Sequence, residues 1–137
     1  ITPLITLVLD RYGLKMSDRV TLYQSYEFKK FFPPENKDVG IREYTEKKEN
    51  RAASLLEMRQ HMLGDHDYAA AVFIGGMEGV EDEYALFRQY HPAAPCYPIA
   101  STGAAARLLY DEHPGEFDER LLTELSYNSL FKDLIGV

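Results

Sequence analysis

Apolar residues along this chain switch between helical spacing and short runs, and the change from one to the other marks out its elements. Leu4, Ile5, Val8 and Leu9 fall at helical spacing, with Pro3 at the start, where a missing N–H costs little, and Gly13 placed to stop the helix. Residues 20–25 (VTLYQS) are β-branched and aromatic and predict a strand. Residues 28–38 contain Pro33, Pro34 and Asn36, which predict a loop, and Phe28, Phe31 and Phe32 give that loop an apolar side. Residues 39–45 (VGIREYT) predict a short strand. Residues 49–63 carry the clearest helical pattern: Ala52, Leu55, Leu56, Arg59 and Met62 share a stripe, and Gly64 ends it.

Residues 68–74 (YAAAVFI) form a continuous apolar run, the pattern of a parallel strand buried on both faces. A glycine-rich turn follows at 75–79, then a helix at 80–90 with Tyr84, Leu86, Phe87 and Tyr90 as its packing positions. Residues 96–100 predict another short strand, and residues 102–110 a helix with Ser101 or Thr102 as its N-cap. Residues 117–125 and 127–135 read as two terminal helices. The order is helix, strand, strand, helix, strand, helix, strand, helix, which predicts an α/β fold with a parallel sheet and helices on both faces.

Composition narrows the class. The length of 137 residues predicts one domain, 1–137, with 113–137 as a helical tail, and 45% hydrophobic residues suffice for a core. A net charge of −7 argues against nucleic acid as a partner, because phosphate neutralisation needs a basic face. The single cysteine, Cys96, excludes an internal disulfide, reads as a small buried hydrophobe and points to a cytoplasmic location. The longest apolar runs, 4–9 and 69–74, fall far short of the roughly 20 residues of a membrane span, so no membrane partner is expected. The chain opens at Ile1, in the middle of an apolar helical pattern and with no basic n-region.

In open α/β sheets ligands bind beyond the carboxyl ends of the strands. Three segments qualify. The first is Gly75, Gly76, Met77, Glu78 and Gly79, where the glycines either admit a ligand to the backbone or serve a packing turn alone. The spacing is neither that of a dinucleotide fingerprint nor that of a P-loop. Glu78, Glu81, Asp82 and Glu83 crowd the following turn; they suit the helix dipole and repel a phosphate placed there. In the sharper reading Glu83 accepts hydrogen bonds from ribose hydroxyls. The second segment, Ser101, Thr102 and Gly103 with Arg107 downstream, contains no acid and is the better phosphate cradle. The third is Ser25, which either touches a ligand or simply ends its strand. His61, Asp65, His66 and Asp67 match no metal-site spacing, so neither metal nor cofactor is expected. His91 and His113 stand beside prolines, in expected loops.

Residues 1–112 resemble the SLOG superfamily, the Rossmann-like group that includes the Smf/DprA proteins and the LOG phosphoribohydrolases, and are most similar to its bacterial SLOG cluster 3 branch. The resemblance rests on ITPLITLV, DRVTLYQS, MRQHMLGDHDYAAAVFIGGMEGVEDEYALF and PIASTGAAARL. It implies a Rossmann-like open, mainly parallel sheet with helices on both faces, here lacking its first strand and helix. A second strand and a glycine-rich loop leading into Ile1 are likewise implied to precede residue 1.

In the LOG enzymes an arginine precedes a strand that ends in PGGxGTxxE, and the arginine and final glutamate serve catalysis. By that resemblance Arg59 matches the arginine. Gly75, Gly76 and Gly79 match the glycines, and Glu83 matches the glutamate if one extra residue is allowed in the turn. Ile74 replaces the proline and Val80 the phosphate-holding threonine. Ala104 stands where relatives of the branch often have a second glycine.

The resemblance thus implies a module that binds a nucleotide-derived signal, ADP-ribose-like or a cyclic nucleotide, within a bacterial defence or stress system. Two-fold association is the commonest symmetric arrangement of soluble proteins, so a homodimer or higher homo-oligomer is expected under every reading. The alternative is a LOG-like phosphoribohydrolase that cleaves nucleoside 5′-monophosphates to base and ribose 5-phosphate through Arg59 and Glu83.

Overall fold

The computed structural model describes residues 2–15 and 19–136; Ile1 and Asp18 lie outside them, as do the side chains of Pro3 and Leu4. The chain divides into two compact units, Ile1–Met62 and Leu63–Val137.

In the first unit, helix α1 (Thr2–Arg11) forms where the helical pattern predicts, and Gly13 follows it at a φ of 65°. Ile5 and Leu9 are half-buried, whereas Val8 of the expected stripe is exposed. Strands β1 (Thr21–Ser25) and β2 (Ile41–Thr45) pair in parallel, with Leu22 opposite Arg42, Gln24 opposite Tyr44 and Ser25 opposite Thr45. The segment expected as a loop between them is wound into two 3-10 helices, Tyr26–Phe31 and Pro34–Asp38. The Ser25 hydroxyl accepts the Glu27 N–H at 3.3 Å and starts the first, while Pro34 supplies the preset φ that starts the second.

Helix α2 (Arg51–Gly64) departs from its predicted stripe. Its buried residue is Ser54, whose hydroxyl accepts from the Lys48 N–H and donates to the Asn50 carbonyl, each at 2.9 Å. Leu56 is exposed. The hydroxyl can be buried because both of its bonding roles are filled.

In the second unit, strand β3 (Ala71–Ile74) pairs in parallel with β4 (Cys96–Ile99), Ile74 lying opposite Ile99. Period-2 geometry sends Phe73 and Cys96 to one face, where Tyr84 and Phe87 of α3 (Gly79–Tyr90) and Leu109 of α4 (Ala104–Glu112) close over them. Ile99 lies on the other face, under Leu121 of α5 (Arg120–Thr123) and Leu130 of α6 (Tyr127–Ile135). This strand pair therefore has helices on both faces.

The expectation that residues 68–74 are buried on both faces is corrected: Val72 is 39% exposed and Ile74 62% exposed. The terminal helices cover β4, leaving the corresponding face of β3 open. The two histidines expected in loops do lie outside the helices, just past the ends of α3 and α4 as their C-caps. His91 Nε2 meets the Leu63 carbonyl at 2.6 Å, and His113 Nδ1 meets that of Leu109 at 2.9 Å. Cys96 is buried, as its sequence context predicts, and burial pushes its thiol pKa up. No helix among the described residues is long and apolar enough to cross a membrane.

Candidate functional site

Because β3 and β4 are parallel and in register, their carboxyl ends finish side by side, and the chain leaves each through a glycine turn. After β3, Gly75 and Gly76 take φ values of 56° and 89°, consecutive left-handed conformations that β-carbon-bearing residues adopt only under strain. A Cβ on Gly76 would also overlap the Val80 Cγ2 methyl. Gly76 is therefore required twice, by its dihedral and by the space it leaves for α3.

After β4, Ala100–Thr102 forms a single 3-10 turn, and Gly103 (φ 73°, ψ −162°) hands the chain to α4. Ala104 follows with a φ of 53° and is the only non-glycine residue with positive φ among those described. A glycine, which the family resemblance places here, would take that conformation without the cost of about 1–2 kcal/mol that a Cβ brings.

The two turns are bonded to each other. The Gly75 N–H donates to Thr102 Oγ1 at 2.8 Å, and Thr102 Oγ1 donates onward to the Ile99 carbonyl at 2.6 Å. The Gly75 carbonyl accepts from the Ala106 N–H at 3.0 Å. One glycine thus engages both the turn after β4 and the first turn of α4.

These bonds correct the expected capping. Neither Ser101 nor Thr102 caps α4; Gly103 holds that position without a side-chain bond. Thr102 spends its hydroxyl in both directions, and Ser101 Oγ lies 3.3 Å from Tyr127 Oη. Arg107 turns along its helix to Asp111, Nε to Oδ2 at 2.7 Å. At the start of α4 the Ala106 N–H goes to the Gly75 carbonyl and the Arg107 N–H to that of Gly103, and the N–H groups of Ala104 and Ala105 have no acceptor within the helix. A helix N-terminus of this kind favours an anion.

Gly75, Gly76, Met77, Glu78, Gly79, Ser101, Thr102 and Gly103 are thus brought to one end of one strand pair. Met77 is 83% exposed and Glu78 is exposed, occupying the N-cap position of α3 without capping it. Glu83 lies one turn further along α3 and is half-buried, while Asp82 beside it is exposed. Ser25 and Arg59 belong to the other unit. Ser25 is 1% exposed, with its hydroxyl engaged by Glu27, and Arg59 is half-buried on α2.

Sequence reasoning missed Tyr127, which reaches the Ser101 hydroxyl from α6. Its only sequence signal is an aromatic residue just after Ser126 at the start of a helical pattern.

Parallel strand pairs, a glycine-turned strand end and flanking helices define a mixed α/β protein. Within that class the chain belongs to the SLOG cluster 3 family, whose model matches residues 1–135. The match runs past residue 112, where the resemblance was expected to end, and takes in α5 and α6. No curated protein and no solved structure matches the chain.

Proposed function

We propose that this protein binds a nucleotide-derived small molecule, ADP-ribose-like or a cyclic nucleotide, at the carboxyl ends of β3 and β4, and acts as a sensor rather than an enzyme. One observation carries the reading. Gly75 ties two glycine turns together through Thr102 and Ala106, holding a backbone-lined strand end beside the start of α4. The parallel strand pairs and family membership support a Rossmann-like sheet, in which such an edge is the ligand edge.

In this reading phosphate oxygens accept from the first N–H groups of α4, and Glu83 accepts from ribose hydroxyls. Val80 speaks against the hydrolase alternative. Its side chain packs onto Gly76 where the LOG pattern has a phosphate-holding hydroxyl, and valine has no donor to replace it.

Isothermal titration with ADP-ribose, cyclic ADP-ribose and cyclic dinucleotides tests the proposal. Binding by one of them, weakened at least about tenfold by Gly103→Val, is the expected result; no heat with any of them would sink it. Release of adenine from AMP by the wild type, lost in Glu83→Ala, would establish the hydrolase instead.

A further inference from the structure

Strand β2 leaves most of its length in solvent. Ile41, Arg42, Glu43 and Tyr44 are all exposed, and only Thr45 is buried. Its neighbour β1 runs from exposed Thr21 to buried Gln24 and Ser25. The two make a two-stranded parallel sheet, so among the described residues no strand pairs with the outer edge of β2.

The ladder decides what that edge presents. The Ile41 N–H donates to the Val20 carbonyl at 3.4 Å, so Ile41 turns its backbone groups towards β1. The pleat turns successive residues to opposite sides, which sends Glu43 the same way and the N–H and C=O groups of Arg42 and Tyr44 outward. The edge thus offers donors and acceptors together, at the repeat of a strand. A phosphate surface, whether lipid or nucleic acid, can accept from the donors but has nothing to give the carbonyls. An extended peptide backbone answers both.

Side chains flanking the edge set the chemistry of such a peptide. Register places Arg42 and Tyr44 on one face and Ile41 and Glu43 on the other. On the first face Tyr44, 40% exposed, is stacked on Tyr26 with centroids 5.2 Å apart, and Phe32 stacks on it at 6.0 Å. Lys29 Nζ lies 5.3 Å from the Tyr26 centroid, and Lys37 and Arg42 line one small hollow beside Tyr44. This face is therefore aromatic and cationic, on a chain whose net charge is −7. The other face offers Ile41, 43% exposed. A strand laid along β2 sends alternate side chains to the two faces, so its complementary sequence alternates acidic and aliphatic residues. A second copy of β2 fits poorly. Antiparallel self-pairing centred on Glu43 opposes two glutamates, and centred on Arg42 it opposes two arginines.

We infer that the outer edge of β2 docks an acidic extended peptide from another protein. The peptide adds to the sheet as a third strand, with carboxylates against Arg42 and Lys37 and aliphatic side chains against Ile41. The edge belongs to the first unit and does not depend on what the β3–β4 end binds.

Backbone-amide NMR titration of the whole protein with a blocked peptide of alternating glutamate and valine tests it. The amides of residues 41–45 are expected to shift, and those of Arg42 and Tyr44 to gain protection from hydrogen exchange. The same peptide with lysine in place of glutamate is expected to bind at least about tenfold more weakly, as is the glutamate peptide N-methylated throughout. Arg42→Glu is expected to reverse the preference in favour of the lysine peptide, while Gly103→Val leaves it unchanged.

No shift at residues 41–45, equal binding of the glutamate and lysine peptides, or undiminished binding of the N-methylated peptide would each overturn the inference. Larger shifts of the same amides with anionic lipid nanodiscs or with oligothymidylate would overturn it as well, by assigning the cations to a phosphate surface. So would shifts of these amides with protein concentration alone, which would give the edge to a second copy.

Discussion

Thr102 Oγ1 accepts the Gly75 N–H at 2.8 Å across 27 positions of sequence, joining the turn after β3 to the turn after β4. The same oxygen donates to the Ile99 carbonyl, so the hydroxyl bridges a strand end and its neighbouring turn. Valine has nearly the same shape and neither function. Thr102→Val is expected to leave the Gly75 N–H unpaired and to cost about 1–3 kcal/mol in urea unfolding, with Thr102→Ser recovering most of it. Equal stability of the valine and serine variants would show that the bridge contributes little.

Gly76 and Val80 form a second coupled pair. Gly76→Ala adds a Cβ at a φ of 89° and drives it into the Val80 side chain, so a loss of about 2–3 kcal/mol is expected. In a Val80→Ala background the overlap is relieved and only the dihedral penalty remains. The double-mutant cycle is therefore expected to show a coupling of about 1 kcal/mol, measured from the same unfolding curves. A coupling of zero would assign the whole cost of the alanine to its backbone angle.

The junction of α5 and α6 supplies a prediction in pH. Arg120 grips Asp118 with two parallel bonds, Nε to Oδ1 at 3.0 Å and Nη2 to Oδ2 at 2.8 Å, and its Nη1 reaches Asp133 at 2.8 Å. The Arg120 side chain, then its backbone N–H, hold the Asp118 carboxyl at a pKa of about 2. That lies below the unfolded value of roughly 3.9, so the contribution is complete above about pH 4 and is lost as pH falls towards 2. A carboxyl-carbon NMR titration is expected to find the depressed midpoint, and Arg120→Met to return it to the ordinary carboxylate range. Asp133→Asn is expected to leave it low, because the two-bond grip on Asp118 survives.

Cys96 is 7% exposed, and burial raises its thiol pKa, so at pH 8 it presents little thiolate and little surface. Labelling by an aromatic disulfide reagent is expected to be about a hundredfold slower in the native protein than in urea, limited by opening of the β4 region. Labelling at the unfolded rate would mean that the Phe73–Phe87–Leu109 cluster does not protect its cysteine.

Local signals located most elements. Gly13 follows α1, and Gly75 and Gly76 lie between β3 and α3, because tolerance of a positive φ is a property of glycine itself. The β-branched and aromatic residues of VTLYQS and the apolar run ending in AVFI located β1 and β3 for the same local reason. The 3-10 helices at 26–31 and 34–38 escaped because proline and phenylalanine there mark a turn without specifying its winding.

The candidate site divides in the same way. Gly75, Gly76 and Gly103 were legible, since their need for special dihedrals is written in their identity. The roles of Thr102 and Tyr127 were not. A hydroxyl next to a helix start reads as a cap until a backbone N–H from 27 residues away claims it.

Taken alone, the sequence determined the order of helices and strands, the parallel α/β class, the glycine turns and the family, because each depends on local preference or on contiguous pattern. The tertiary structure decided which hydroxyls are spent, which face of β3 stays open and which edge of β2 is left without a partner. Those outcomes depend on which backbone groups approach within hydrogen-bonding distance, and that is set by packing between segments far apart in the chain.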